Sequence, residues 1–199
     1  MSGSNARFVR KVLSAVVLAA AFLMLSPAFA GQEAGHVVKA KGLISRNAVR
    51  PGEIFKTALI LKVQAGYHIN GNAPLDEFMI PTNIIFSENP DFEIIEISYP
   101  RGQRAHFSYS VAELVVYEGE FVIGALVKAK DGLAAGPRSL KGALTYQACN
   151  DESCLPPKEL AFEIAVPVTA RGACADTAPE IFDKIHFRTL PEEAAPATS

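Results

Sequence analysis

Cys149 and Cys154 stand with four residues between them in Thr145-Tyr146-Gln147-Ala148-Cys149-Asn150-Asp151-Glu152-Ser153-Cys154-Leu155-Pro156-Pro157, flanked by a strand-like run and a rigid Pro-Pro. Two thiols this close either form a local disulfide or exchange one with a partner, and both chemistries need an oxidising compartment. The amino terminus predicts one. Arg7, Arg10 and Lys11 precede an uncharged stretch from Val12 to Leu25, which leads to Ala28-Phe29-Ala30, a small-x-small pattern before Gly31. That is the pattern of a cleavable signal peptide over residues 1–30, and its apolar run of about 14 residues falls short of the roughly 20 that span a bilayer. The expectation is a periplasmic protein with no stable membrane insertion and no lipid-carrying cysteine after the cleavage site.

Removing residues 1–30 takes away three basic residues and no acidic ones, so 16 Lys+Arg face 21 Asp+Glu, a formal charge of −5. An acidic chain is a poor ligand for nucleic acid, which is excluded as a partner class. The 169 residues that remain fit one domain with an extra tail, large enough to bury a core without a disulfide to hold it.

As a staple the cysteine pair is weak. A loop of about six residues contributes roughly 2 kcal/mol through unfolded-chain entropy, against about 4.7 kcal/mol for a hundred-residue loop. Exchange and a local structural bridge both remain open on this argument. Asp151 and Glu152 lie between the thiols, with no Lys or Arg before Lys158. That charge disfavours thiolates, so the oxidised pair is better suited to being attacked by a partner's thiolate than to initiating attack.

The elements that must position the pair read as strands. From His36 to Val168, β-branched and aromatic runs recur at short spacing without long 3.6-period stripes. Strands are predicted at Val37–Ile44, Ile54–Val63, Asn83–Phe86, Phe92–Ser98, Glu120–Ala129, Ser139–Ala148 and Glu159–Pro167, separated by breakers such as Pro51-Gly52, Pro90-Asp91 and Asp131-Gly132. Seven short strands make an all-β, immunoglobulin-like β-sandwich over residues 31–168. The chain has no Trp, and its close cysteines cannot pin distant strands as in antibody domains. Alternation places Leu160, Phe162, Ile164 and Val166 inward in the last strand, and Leu144 and Tyr146 inward in the one before. Continued through its end, the same alternation turns Cys149 away from the core, open to attack.

Tyr146-Gln147-Ala148-Cys149, followed by Cys154-Leu155-Pro156-Pro157 and preceded far upstream by Gly66-Tyr67-His68-Ile69-Asn70, resembles the amino-terminal periplasmic domain of DsbD-type thiol:disulfide interchange proteins. The resemblance covers roughly Val37 to Val168. It implies an immunoglobulin-like sandwich whose redox pair, Cys149 and Cys154, takes electrons from a thioredoxin-like domain or a membrane thiol carrier. The pair then passes them to oxidised periplasmic proteins. It also implies that the more carboxyl-terminal cysteine, Cys154, forms the mixed disulfide. Family members shield the pair with a mobile cap loop, which matches Arg104-Ala105-His106-Phe107-Ser108-Tyr109, with Phe107 as the shielding ring and Tyr109 beside it. In the best-known members one more residue separates the cysteines. Their membrane-spanning carrier and thioredoxin-like domain have no counterpart here, so separate partners are expected.

Two other classes stand beside this one. His68 and His106 with the cysteines could bind a soft metal such as Cu(I) or Zn(II), but their spacing matches no tight metal motif. A non-catalytic binding or assembly module with a structural disulfide is the other. The run Asn70-Gly71-Asn72-Ala73-Pro74-Leu75-Asp76 reads as a long loop, and the carboxylate pairs Glu118/Glu120 and Glu192/Glu193 as solvated surface charge. No phosphate-cradling Gly loop or Ser nucleophile motif occurs, and no cofactor is expected.

Residues 169–199 form a tail. A short helix is predicted over Pro179–Phe187, docking through Ile181, Phe182 and Ile185, followed by a disordered, Pro-, Ala- and Glu-rich end from Leu190 to Ser199. Cys174 is the odd thiol, expected to be free or to bridge between molecules.

Overall fold

Runs such as Ile54-Phe55-Lys56-Thr57-Ala58-Leu59-Ile60-Leu61-Lys62-Val63 have no cheaper way to bury their β-branched and aromatic side chains than in a paired sheet. The computed structural model describes residues 37–76 and 78–189. The signal-peptide expectation and the end from Leu190 to Ser199 lie outside them.

Eleven strands form: β1 (Val38–Ile44), β2 (Ile54–Val63), β3 (His68–Asn70), β4 (Asn83–Phe86), β5 (Phe92–Ser98), β6 (Gln103–Ala105), β7 (Leu114–Tyr117), β8 (Glu120–Ala129), β9 (Gly136–Tyr146), β10 (Ala148–Cys149) and β11 (Lys158–Val168). One sheet has the order β1-β2-β8-β5 and a second the order β11-β9-β4. Their pairings are antiparallel. Relabelled A to G in chain order, the seven strands of these two sheets give A-B-E-D facing G-F-C, the strand order of a constant-type immunoglobulin domain. The expected all-β, immunoglobulin-like sandwich is therefore the fold. The four remaining strands make a small third sheet, β10-β3-β7-β6, that a seven-strand reading does not contain.

One core fills the space between the two large sheets. Leu59, Leu61, Ile123 and Val127 come from one sheet, and Ile84, Leu140, Leu144, Tyr146, Ile164 and Val166 from the other. The inward set of the last strand is as expected, with Phe162, Ile164 and Val166 buried and Leu160 half-buried. Leu144 and Tyr146 are buried as well.

After β11 the chain returns along β1. Asn47 N–H donates to the Ala175 carbonyl and Thr177 N–H to that of Ser45, at 2.9 Å each. A single helix, α1 (Pro179–Phe182), follows, shorter than the predicted Pro179–Phe187. Phe182 and Ile185 dock as expected, and Phe187 joins them. Phe182 and Phe187 are buried, whereas Ile181 and Ile185 are half-buried, because beyond Phe182 the chain unwinds and lays Ile185 and Phe187 against Gly124 of β8. A side chain at Gly124 would collide with Ile185, so glycine here makes room for the segment.

Candidate functional site

Three connections of the sandwich supply the small sheet: β2 to β4 carries β3, β5 to β8 carries β6 and β7, and β9 to β11 carries β10. In immunoglobulin terms these are the B–C, D–E and F–G connections, whose B–C and F–G members form the binding end of variable domains. The cysteines sit in the last of them.

Cys149 and Cys154 are joined by a disulfide, with Cα atoms 3.9 Å apart. They face each other as an antiparallel bridge closed by a four-residue turn. Asn150 N–H donates to the Ser153 carbonyl at 2.9 Å, and Leu155 N–H to that of Ala148 at 2.8 Å. The Asn150 carboxamide oxygen accepts the N–H groups of Glu152 and Ser153 at 3.0 and 2.8 Å. A side chain that mimics a backbone turn thus preforms the ring that the two sulfurs close.

Cys149 does not face outward as the alternation predicts. Cys149 is 0% exposed and Ala148, its neighbour, 2%. The strand does not run on through Gln147: β9 ends at Tyr146, and Gln147 sends its side-chain amide 3.2 Å to the Leu155 carbonyl. The chain then enters a different sheet, where Ala148 pairs with Ile69 and Cys149 with His68. A chain that changes sheets loses its register, and both residues of so short a strand are covered. Cys154, which the strand pattern left unplaced, is exposed. The disulfide therefore has one buried and one accessible sulfur-bearing residue.

Gly66, with φ of 82°, makes the turn that brings Tyr67 and His68 back from β2. His68 is 2% exposed and lies directly across from Cys149. The cap segment between β6 and β7 folds over it. Phe107 stacks on the imidazole with ring centroids 3.9 Å apart and planes 18° apart, and Tyr109 O–H lies 2.7 Å from His68 Nε2. Phe107 and Tyr109 are themselves stacked, at 5.6 Å. The Ser108 hydroxyl donates to the Asp151 carbonyl at 2.6 Å, tying the cap to the cysteine turn. Phe107 and Tyr109 are thus brought together on His68, across from Cys149.

Burial pushes the His68 pKa down from 6.5, against smaller opposing effects of the Glu118 and Asp151 carboxylates. The imidazole is therefore neutral at pH 7. Burial, reinforced by Asp151, holds the Tyr109 phenol above its usual 10.0. The imidazole tautomer sets the direction of this bond: with the proton on Nε2, His68 donates to the Tyr109 oxygen and Nδ1 keeps a free lone pair.

The histidine pair weighed as soft-metal ligands is split by this arrangement, with His106 exposed and His68 engaged by the cap. Among the described residues no group of three or more His, Cys, Asp or Glu could hold a metal ion. Cys174 is a free, half-buried thiol whose carbonyl accepts from Arg46 Nη1 at 3.2 Å. Sequence reasoning brought His68 to the cysteines only as a soft-metal ligand and as part of the family motif, and gave it no part in thiol exchange. The signal was there only as the turn Gly66-Tyr67-His68-Ile69-Asn70, since nothing local shows what pairs with it.

The sandwich thus carries a short-range disulfide at its loop end, beside an aromatic cap tied to the cysteine turn. The sequence matches the family described as thiol:disulfide interchange protein DsbD, N-terminal, over residues 38–165, and the chain belongs to that family. Among solved structures it is similar to the N-terminal periplasmic domain of ScsB from Proteus mirabilis, with TM-score 0.49 and 12% identity over 77% of this chain and 53% of that one. It is also similar to the DsbD N-terminal domain of Neisseria meningitidis in the reduced form, with TM-score 0.37 and 17% identity over 69% of this chain and 88% of that one. The chain thus spans about half the length of the ScsB chain. No curated protein matches it by sequence. Among the described residues no helix is long and apolar enough to cross a membrane.

Proposed function

We propose that the chain is a periplasmic electron relay in which Cys149 and Cys154 cycle between disulfide and dithiol. The observation that carries this reading is the unequal exposure of the pair, with Cys154 accessible and Cys149 sealed. The thiolate of a reduced thioredoxin-like protein or membrane thiol carrier attacks Cys154 Sγ. The Cys149–Cys154 bond breaks, and its electron pair leaves on Cys149, which is then protonated. A second donor thiol resolves the mixed disulfide and leaves both cysteines reduced. In the second half-cycle Cys154 attacks the disulfide of an oxidised periplasmic protein. Cys149 then displaces the reduced product and restores the ring.

Phe107 and Tyr109 act as the shield in this reading, covering the Cys149 side until a partner displaces them. The test uses oxidised glutathione as a probe on the mature chain carrying Cys174→Ser. The reduced Cys149→Ala protein forms a glutathione adduct on Cys154, seen by intact mass. The Cys154→Ala protein forms none on Cys149 over the same interval. The reverse pattern refutes the assignment.

A further inference from the structure

The second half-cycle needs a base. When Cys154 carries the substrate, the resolving nucleophile is Cys149, a fully buried residue. A buried thiol is held in its protonated, unreactive form because burial disfavours the thiolate. No Lys or Arg belongs to β3, β7 or β10 or to the turn between the cysteines. His68 does belong there. Residues directly opposite in an antiparallel pair project from the same face with Cβ atoms about 4.5–5.5 Å apart, and Cys149 and His68 are such a pair. The imidazole is 2% exposed, fixed on one face by Phe107 and at Nε2 by Tyr109.

We propose that His68 is the acid–base group of the exchange reaction, taking the proton from Cys149 when the mixed disulfide on Cys154 is resolved. This rests on the relay reading above and deepens it. In the step, the Cys149 S–H bond breaks and its proton passes to the imidazole. The sulfur electron pair forms the Cys149–Cys154 bond, and the bond from Cys154 to substrate breaks. The leaving pair goes to the substrate sulfur, which water or the returning proton neutralises. Tyr109 is the orienting partner, as the third member is in any nucleophile–base–orienter arrangement. The groups that act on the imidazole are the Tyr109 hydroxyl from the cap, Glu118 after β7 and Asp151 from the cysteine turn. The two carboxylates stabilise the imidazolium that forms. Burial keeps the resting imidazole neutral and ready to accept.

The test is a stopped reaction of the reduced mature chain, Cys174→Ser throughout, with oxidised glutathione. Acid quench and intact mass separate formation of the Cys154 adduct from its resolution. His68→Gln and His68→Phe are compared, the second keeping a ring against Phe107 without a base. Folding of both is checked by circular dichroism and thermal melting.

The expected result is that both variants form the adduct within about threefold of the parent rate and resolve it about a hundredfold more slowly, so that the adduct accumulates. The parent resolves at a rate nearly flat with pH around neutrality, whereas in the variants it rises about tenfold per pH unit, following the Cys149 thiolate. Resolution by His68→Phe at the parent rate would overturn the proposal and leave a packing role. If a variant does not fold, Tyr109→Phe replaces it, and an unchanged resolution rate there also counts against the proposal. A parent protein that forms no adduct and no disulfide with the probe would instead sink the relay reading, and this inference with it.

Discussion

Ser108 and Asp151 are 43 residues apart in sequence, and the Ser108 hydroxyl donates a 2.6 Å hydrogen bond to the Asp151 carbonyl. This bond is the direct polar tie between the cap and the turn that separates the two cysteines. The rings of Phe107 and Tyr109 on His68 hold the cap as well, and the Arg104–Glu113 ion pair at 2.6 Å braces its base.

An exposed hydrogen bond of this kind contributes about 0.5–1.5 kcal/mol, so Ser108→Ala raises the open population of the cap roughly two- to tenfold. Alkylation of Cys149 by iodoacetamide in the reduced Cys154→Ala protein should accelerate by that factor, with no change in the melting temperature of the sandwich. An unchanged rate means that the tie does not govern access.

Phe107→Ala removes the ring stacked on His68. Aromatic pairs are worth about 0.5–1.5 kcal/mol beyond their buried area, so cap opening here should exceed that of Ser108→Ala. The check is the same Cys149 alkylation rate in the reduced Cys154→Ala background, ordered parent, Ser108→Ala, Phe107→Ala. An order with Phe107→Ala below Ser108→Ala would place the shield elsewhere.

On β5, Glu96 clasps the carboxyl-terminal segment. Its carboxylate accepts the Thr189 hydroxyl at 2.6 Å and the N–H groups of Thr189 and Arg188 at 2.9 and 3.0 Å. Foremost the Thr189 hydroxyl, with those N–H groups, holds its pKa down from 4.5 to about 2. A folded-state pKa below the unfolded one gives stability that is complete above about 4.5 and lost as pH falls toward 2. Glu96→Gln should therefore melt below the parent at pH 7, and the two should converge near pH 2. Equal melting at pH 7 contradicts the clasp.

Gly124→Val places a branched side chain where Ile185 lies and where Phe187 Cζ would be 3.1 Å from the new Cβ. Overpacking costs about 1–3 kcal/mol when the neighbours cannot yield. Here the neighbour is a terminal segment, so it should detach, and limited proteolysis should cut between Asp183 and Thr189 in the variant and not in the parent. Resistance equal to the parent would mean that the segment does not dock on β8.

The long strands were legible because runs such as Phe92–Ser98 and Glu120–Ala129 are long enough for composition and breakers to bound them. The small sheet was not. Its strands have two to four residues, as in His68–Asn70 and Ala148–Cys149, too short for a period to show. That is why Cys149 was expected to face outward, and why His68 was weighed only as a soft-metal ligand. Its role depends on Phe107 and Tyr109, the latter 41 residues away, which only the closing of the D–E connection over β3 brings near. The cysteine pair and the aromatic cap, by contrast, were legible from spacing and resemblance.

The central claim is that the Cys149–Cys154 disulfide is made to be exchanged. The most direct test is its reduction potential in the mature protein carrying Cys174→Ser, equilibrated in defined glutathione or dithiothreitol buffers and read by alkylation and mass spectrometry. The account predicts a value of about −200 to −270 mV, among exchange-active dithiols, and a value below about −300 mV would contradict it by marking a structural bridge.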